Sequence, residues 1–153
     1  MNKILKLTAA VLLICFSLCG CAKEENDLNS ILAEGTSDIS NNAGESYTVN
    51  YTVKNGLHHN SLSVKIFSDD EPIGYYSGNA DRLAVPEKIV KLCEDCYYFA
   101  DDTNCGVIVG GLPVPNGELS ETLREKITRE ELAEKLENCG YSAEDILKCY
   151  DET

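Results

Sequence analysis

Hydrophobic and polar positions alternate with period two from Tyr47. Tyr47, Val49, Tyr51 and Val53 are interleaved with Thr48, Asn50, Thr52 and Lys54, the pattern of a strand with one buried face. Asn55-Gly56 follows, and both residues tolerate positive φ, which predicts a turn. Leu62, Val64 and Ile66 then alternate with Ser63 and Lys65. Asp69-Asp70-Glu71-Pro72 predicts a second turn, and residues 73–77 a third strand. These elements form an antiparallel meander with one polar face.

Beyond Pro86 the spacing lengthens. Proline suits the first turn of a helix, and Ile89, Cys93, Cys96, Tyr97 and Ala100 recur at helical intervals. The spacing predicts a central helix that ends near residues 101–104. Residues 106–110 (Gly-Val-Ile-Val-Gly) form a short apolar run, either a fourth strand or a buried connection. Pro113, Pro115 and Gly117 break the chain again. In the C-terminal third, Leu119, Leu123 and Ile127 stripe one helix. Thr128 followed by Glu131 is a capping box that opens another through Leu132 and Leu136. Gly140 stops that helix, and Ser142 caps a last short one carrying Ile146, Leu147 and Tyr150. The expected fold is α+β: a three- or four-stranded antiparallel meander packed against a central helix and a C-terminal helical hairpin.

The N-terminus follows a different pattern. Lys3 and Lys6 precede an apolar run from Leu7 to Leu18. A charged start, about a dozen apolar residues and a small residue at the cut make a secretory signal, and the run is shorter than the roughly 20 residues that span a bilayer. Its end, Leu18-Cys19-Gly20-Cys21, resembles the lipobox of bacterial lipoproteins. That resemblance implies cleavage before Cys21, fatty acylation of Cys21 (palmitate, for example) and anchoring to the cell membrane on its extracytoplasmic face. Ala22 lacks the acidic retention residue of the class, which implies the outer membrane if the host has two. Residues 22–45 are polar and read as a flexible tether. The expected division is 1–20 signal peptide, 21–45 lipidated cysteine and tether, and 46–153 one small domain.

Charge narrows the partners. Loss of Lys3 and Lys6 with the signal reduces 13 basic residues to 11 against 26 acidic ones, a balance of −15. Such a chain repels phosphate backbones, which excludes nucleic acid, and repels anionic headgroups, which leaves membrane affinity to the lipid.

Five cysteines remain after Cys15, Cys19 and Cys21 are set aside: Cys93, Cys96, Cys105, Cys139 and Cys149. In a small exported domain they read first as disulfides. An odd number leaves at least one thiol free, paired to another chain, or bound to something. Cys93-x-x-Cys96 is a weak redox signal, because Glu94 and Asp95 disfavour a thiolate, partly offset by Lys88 and Lys91. Within a helix the two would hold their Cβ atoms about 5–6 Å apart, too far for a relaxed bridge. Separate partners are therefore expected. Cys139 and Cys149, spaced along a helical hairpin, are expected to reach into the Cys93, Cys96 and Cys105 group rather than each other. A thiolate set for zinc or an iron–sulfur cluster is one alternative, though strong zinc signals carry two close pairs; plain core thiols in an apolar stripe are another.

Other candidates are weaker. His58-His59 would point to opposite faces of a strand and reads as a solvated turn. Asp101, Asp102 and Asn104 lack the ligand pattern of a calcium loop, and Gly106, Gly110 and Gly111 fit turns better than a phosphate cradle. No catalytic residue and no cofactor are expected. The leading reading is a non-catalytic binding or accessory module at the cell envelope, with a protein or small-molecule partner. Thiol redox or metal binding through the cysteines, and hydrolysis through acidic residues, are the alternatives.

Overall fold

The computed structural model describes residues 27–152; the signal segment and Cys21 lie outside the described residues. The fold is α+β, with two four-stranded antiparallel sheets and a C-terminal set of helices. Sheet 1 is a meander of β1 (Ile31–Ser40), β2 (Ser46–Lys54), β3 (Ser61–Ser68) and β4 (Glu71–Asn79). The pairings Val49 with Ile66 and Tyr51 with Val64 and Tyr76 put the apolar set on one face. Val49, Val64 and Ile66 are fully buried there, as the alternation predicts.

One expectation in this half needs correction. The segment read as a tether supplies β1, which pairs along nearly its whole length with β2. Only Ile39 of this strand is buried. Ile31, Leu32, Ala33, Glu34, Thr36, Asp38 and Ser40 are exposed on this edge strand, so no apolar alternation marks it. The domain therefore begins near residue 31 rather than 46. Asn55-Gly56 marks the turn between β2 and β3, as predicted. It opens a loop of residues 55–60, held by the Asn29 amide donating to the Asn55 carbonyl at 2.9 Å and the Asn55 amide to Ser30 at 2.9 Å.

The Asp69-Asp70 turn does form, with φ of +49° and +65°. Both residues occupy the left-handed region that an Asn-Gly pair adopts at lower cost. Replacing Asp69-Asp70 by Asn-Gly is expected to stabilise the domain by about 0.5–1 kcal/mol, read as a raised urea midpoint at constant m.

Sheet 2 overturns the central helix. Residues 88–100 form a hairpin of β5 (Lys88–Cys93) and β6 (Cys96–Ala100), with Glu94-Asp95 as its turn. β7 (Cys105–Val109) and the two-residue β8 (Leu112–Pro113) complete the sheet. Sheet 2 is sandwiched. Ile89, Tyr97 and Ile108 pack on sheet 1, while Val90, Leu92, Cys96, Tyr98, Ala100 and Val107 pack on the helices. A strand buried on both faces loses its period of two and reads as a continuous apolar run. The helical spacing of Ile89, Cys93, Cys96, Tyr97 and Ala100 was a coincidence within that run.

The helices are α1 (Leu119–Lys126), α2 (Arg129–Asn138) and α3 (Glu144–Asp151). The Thr128 capping box is complete, with Thr128 Oγ1 accepting from the Glu131 amide and Glu131 Oε2 from the Thr128 amide. Gly140, at φ +84°, ends α2 as expected. Leu123, Leu132, Leu136 and Ile146 are fully buried against sheet 2.

The β1–β2 turn ties the three layers together. Glu45 Oε2 accepts from Asn41 Nδ2 at 2.7 Å, Tyr47 Oη at 2.9 Å and the Lys91 amide at 3.2 Å. The Asn42 amide donates to the Cys139 carbonyl at the end of α2. At the opposite edge, the Tyr75 amide donates to the Gly111 carbonyl at 3.0 Å. Gly74 has no room for a side chain there: a Cβ would lie 2.6 Å from Ile108 Cδ1, so glycine permits the close approach.

Candidate ligand cleft and the cysteine groups

A cavity opens at the end of the sandwich where β4, β6 and β7 meet the loops 80–87 and 101–104. Register builds its floor. Phe99 on β6 pairs with Gly106 on β7, and the absent side chain lets the Phe99 ring lie across the strand; a Cβ on Gly106 would meet that ring at 2.8 Å. Tyr76 of β4 stacks on Phe99 with centroids 5.3 Å apart and planes 21° from parallel. The Tyr76 hydroxyl donates to the Ala84 carbonyl at 2.7 Å, pinning the loop that carries Arg82 and Leu83. Burial, then the Asp101 charge, pushes the Tyr76 phenol well above its ordinary range, so it stays a neutral donor.

The resulting cleft has a volume of about 450 Å³. Phe99, Leu83, Pro86, Pro113 and Val114 provide apolar lining, and Arg82 and Asp101 are the charged groups in it. Arg82 is exposed. Asp101 Oδ1 is already occupied, accepting from the Thr103 amide, the Thr103 hydroxyl and the Asn104 amide at 2.6–2.9 Å. Burial raises the Asp101 pKa, but these hydrogen bonds outweigh it and hold the carboxyl below its ordinary value. The 101–104 cluster is thus a self-satisfied loop rather than a set of vacant ligands.

The cysteines fall into two pairs and a singleton. Cys93 and Cys96 face each other across the β5–β6 hairpin. Burial, then the neighbouring Cys93, pushes the Cys96 thiol up to about 12. The nearby cation is Lys126, at the end of α1, not Lys88 or Lys91. Its Nζ lies 3.0 Å from Asp95 Oδ2, and Asp95 Oδ1 also receives the Cys93 thiol at 3.8 Å. Cys105 on β7 lies beside Cys149 on α3; burial, then Cys149, raises the Cys105 thiol to about 11. Cys139 is buried elsewhere, against Glu45 and Ala43 of the β1–β2 turn. Cys149 therefore lies beside Cys105, whereas Cys139 lies apart from the other cysteines. All five are thiols in this structure. Among the described residues, no three His, Cys, Asp or Glu side chains gather where a metal ion could be held.

His58 and His59 sit exposed in the 55–60 loop, with His59 Nδ1 3.8 Å from Asp81. Gly110 and Gly111 are the β7–β8 turn, at φ +58° and +86°, as turn glycines should be. No helix among the described residues is long and apolar enough to cross a membrane.

Comparison with protein-family models, curated proteins and solved structures found no match. The cleft and the cysteines therefore carry the functional argument alone. Sequence reasoning missed Tyr76, Phe99 and Arg82, because only strand pairing places a phenylalanine opposite a glycine and next to a tyrosine from another sheet.

Proposed function

We propose that this chain is a lipid-anchored, extracytoplasmic binding module, non-catalytic, with the Tyr76–Phe99 cleft as its ligand site. Anchoring rests on the lipobox-like Leu18-Cys19-Gly20-Cys21; the binding role rests on the cleft. An aromatic floor beside one exposed guanidinium suits a small amphipathic ligand with an apolar body and a carboxylate or phosphate. Hydrolysis by paired carboxylates would need two acids flanking a bond, and the lining offers Asp101 alone.

The test is titration of the chain with phenyl-bearing carboxylates and their methyl esters, followed by heteronuclear NMR. Acids should shift the amides of residues 76–86 and 99–106, and esters should bind more weakly. Arg82→Gln is expected to weaken binding of the acids about tenfold and leave the melting temperature unchanged. Equal binding of acid and ester would remove Arg82 from the site, and no shifts at millimolar ligand would sink the cleft reading.

A further inference from the structure

We infer that this chain carries two specific disulfides, Cys93–Cys96 and Cys105–Cys149, with Cys139 remaining a thiol. The inference deepens the reading above and rests on export for its occurrence in the cell, but its geometry stands on the fold.

The helical objection to joining Cys93 and Cys96 disappears in a hairpin. The two are cross-strand partners, and directly opposed residues hold their Cα atoms about 4.5–5.5 Å apart, inside the range disulfides adopt. Both are thiols and not at bonding distance in this structure; opposed residues hold their Cβ atoms about 4.5–5.5 Å apart, so bridging requires an approach of roughly 1 Å. The irregularity in register between Lys91 and Cys93 supplies the slack, since a bulge bends its strand locally. Cys105 and Cys149 meet differently. β7 turns Cys105, Val107 and Val109 toward the helices, and Cys105 and Cys149 both flank the core cluster formed there. The Cys149 thiol packs against Cys105 from the first residue beyond Lys148, near the end of α3. Cys139 is 3% exposed, and its neighbours are Glu45, Ala43 and Lys135 rather than a cysteine.

Each bridge forms by thiol–disulfide exchange with a small disulfide such as oxidised glutathione. A protein thiolate attacks the disulfide, one glutathione thiolate leaves, and a mixed disulfide results. The second cysteine then attacks the protein sulfur of that mixed disulfide and displaces the second glutathione. Two protein thiols lose two protons and two electrons, and one glutathione disulfide becomes two thiols. Cys93 is the more accessible member of its pair and Cys96 is fully buried, so Cys93 takes the mixed disulfide and Cys96 resolves it. The second bridge has a consequence for the cleft. Cys105 lines it, so Cys105–Cys149 fastens that wall to α3.

Disulfide mapping tests this directly. The full chain is extracted from membranes in detergent with thiols blocked, and a second sample is reduced and reoxidised in a glutathione buffer. Cleavage after Lys and Arg and before Asp separates Cys93, Cys96, Cys105, Cys139 and Cys149 onto different peptides. The expected products of the reoxidised sample are residues 92–94 joined to 95–100, the Cys105 peptide joined to residues 149–150, and an alkylated Cys139 peptide. Reduction is expected to lower the melting temperature by about 10 °C, most of it lost in Cys149→Ser. Any bridge to Cys139, or unlinked Cys93 and Cys96 after reoxidation, overturns the inference. Correct pairing in the reoxidised sample, with free thiols in the membrane extract, supports the pairing and instead overturns export to an oxidising compartment.

Discussion

Replacing Leu136 with alanine is expected to destabilise the domain by about 3 kcal/mol. Leu136 lies on α2 and is fully buried, in the cluster that Val90, Leu92, Cys96 and Val107 of sheet 2 form with the helices. Truncation removes the transfer free energy of its methyl groups and leaves a cavity. α2 cannot close that cavity, because its N-terminus is set by the Thr128 box and its C-terminal end is bonded to the β1–β2 turn. A small domain has about 5–15 kcal/mol of net stability, so the loss is a large share of the whole. Urea unfolding checks it, with Glu134→Ala as a comparison on the exposed side of the same helix. Glu134→Ala should change stability by less than about 0.5 kcal/mol. If Leu136→Ala cost under 1 kcal/mol, the helices would not be packed on sheet 2 as described.

The second large effect concerns the anchor. Under the proposed function, Cys21→Ser is expected to abolish incorporation of labelled fatty acid and leave the precursor, with residues 1–20 attached, in place of the mature form. A chain beginning at Ala22 behind an ordinary secretory signal should leave the membrane pellet and appear in the soluble fraction. The reason is electrostatic as well as hydrophobic. Acyl chains contribute about 0.8 kcal/mol per buried methylene, whereas a mature chain with a balance of −15 gains nothing from an anionic headgroup surface. Retention of the unlipidated chain in the pellet would show that another part of the protein holds the membrane.

The elements that could be read from the chain alone share one property: a single buried face. β2, β3 and the three C-terminal helices each set an apolar stripe against a polar one, so their periods survive in the sequence, and the Thr128–Glu131 box and Gly140 mark helix ends by local chemistry. The misread elements depart from that condition in opposite directions. β1 is so exposed that Ile39 is its sole buried side chain, and its sequence reads as a tether. β5 and β6 are so thoroughly buried that their alternation vanishes, and their sequence reads as a helix. The β-branched and aromatic content of Ile89-Val90 and Tyr97-Tyr98-Phe99, with Glu94-Asp95 between, was the available clue to a hairpin.

The site divides in the same way. Residue chemistry made the cysteines candidates at once, and Cys149 lies beside Cys105. Their partnership could not be read, because it depends on whether Cys93 and Cys96 lie along a helix or across a hairpin. The cleft had no signature at all. Tyr76, Phe99, Gly106 and Arg82 come from separate strands and a loop, and no spacing along the chain relates them.

Local pattern was thus enough for the α+β class, the polar-faced meander, the Thr128 capping box, the Gly140 stop and the acidic balance, since each depends on composition or on residues a few positions apart; Ala143 rather than the expected Ser142 takes the N-cap position of α3. Tertiary structure alone decided the second sheet, the edge strand, which thiols lie near one another and the aromatic floor of the cleft. Those depend on which faces are covered by something distant in sequence, and coverage is a property of the assembled layers rather than of any segment within them.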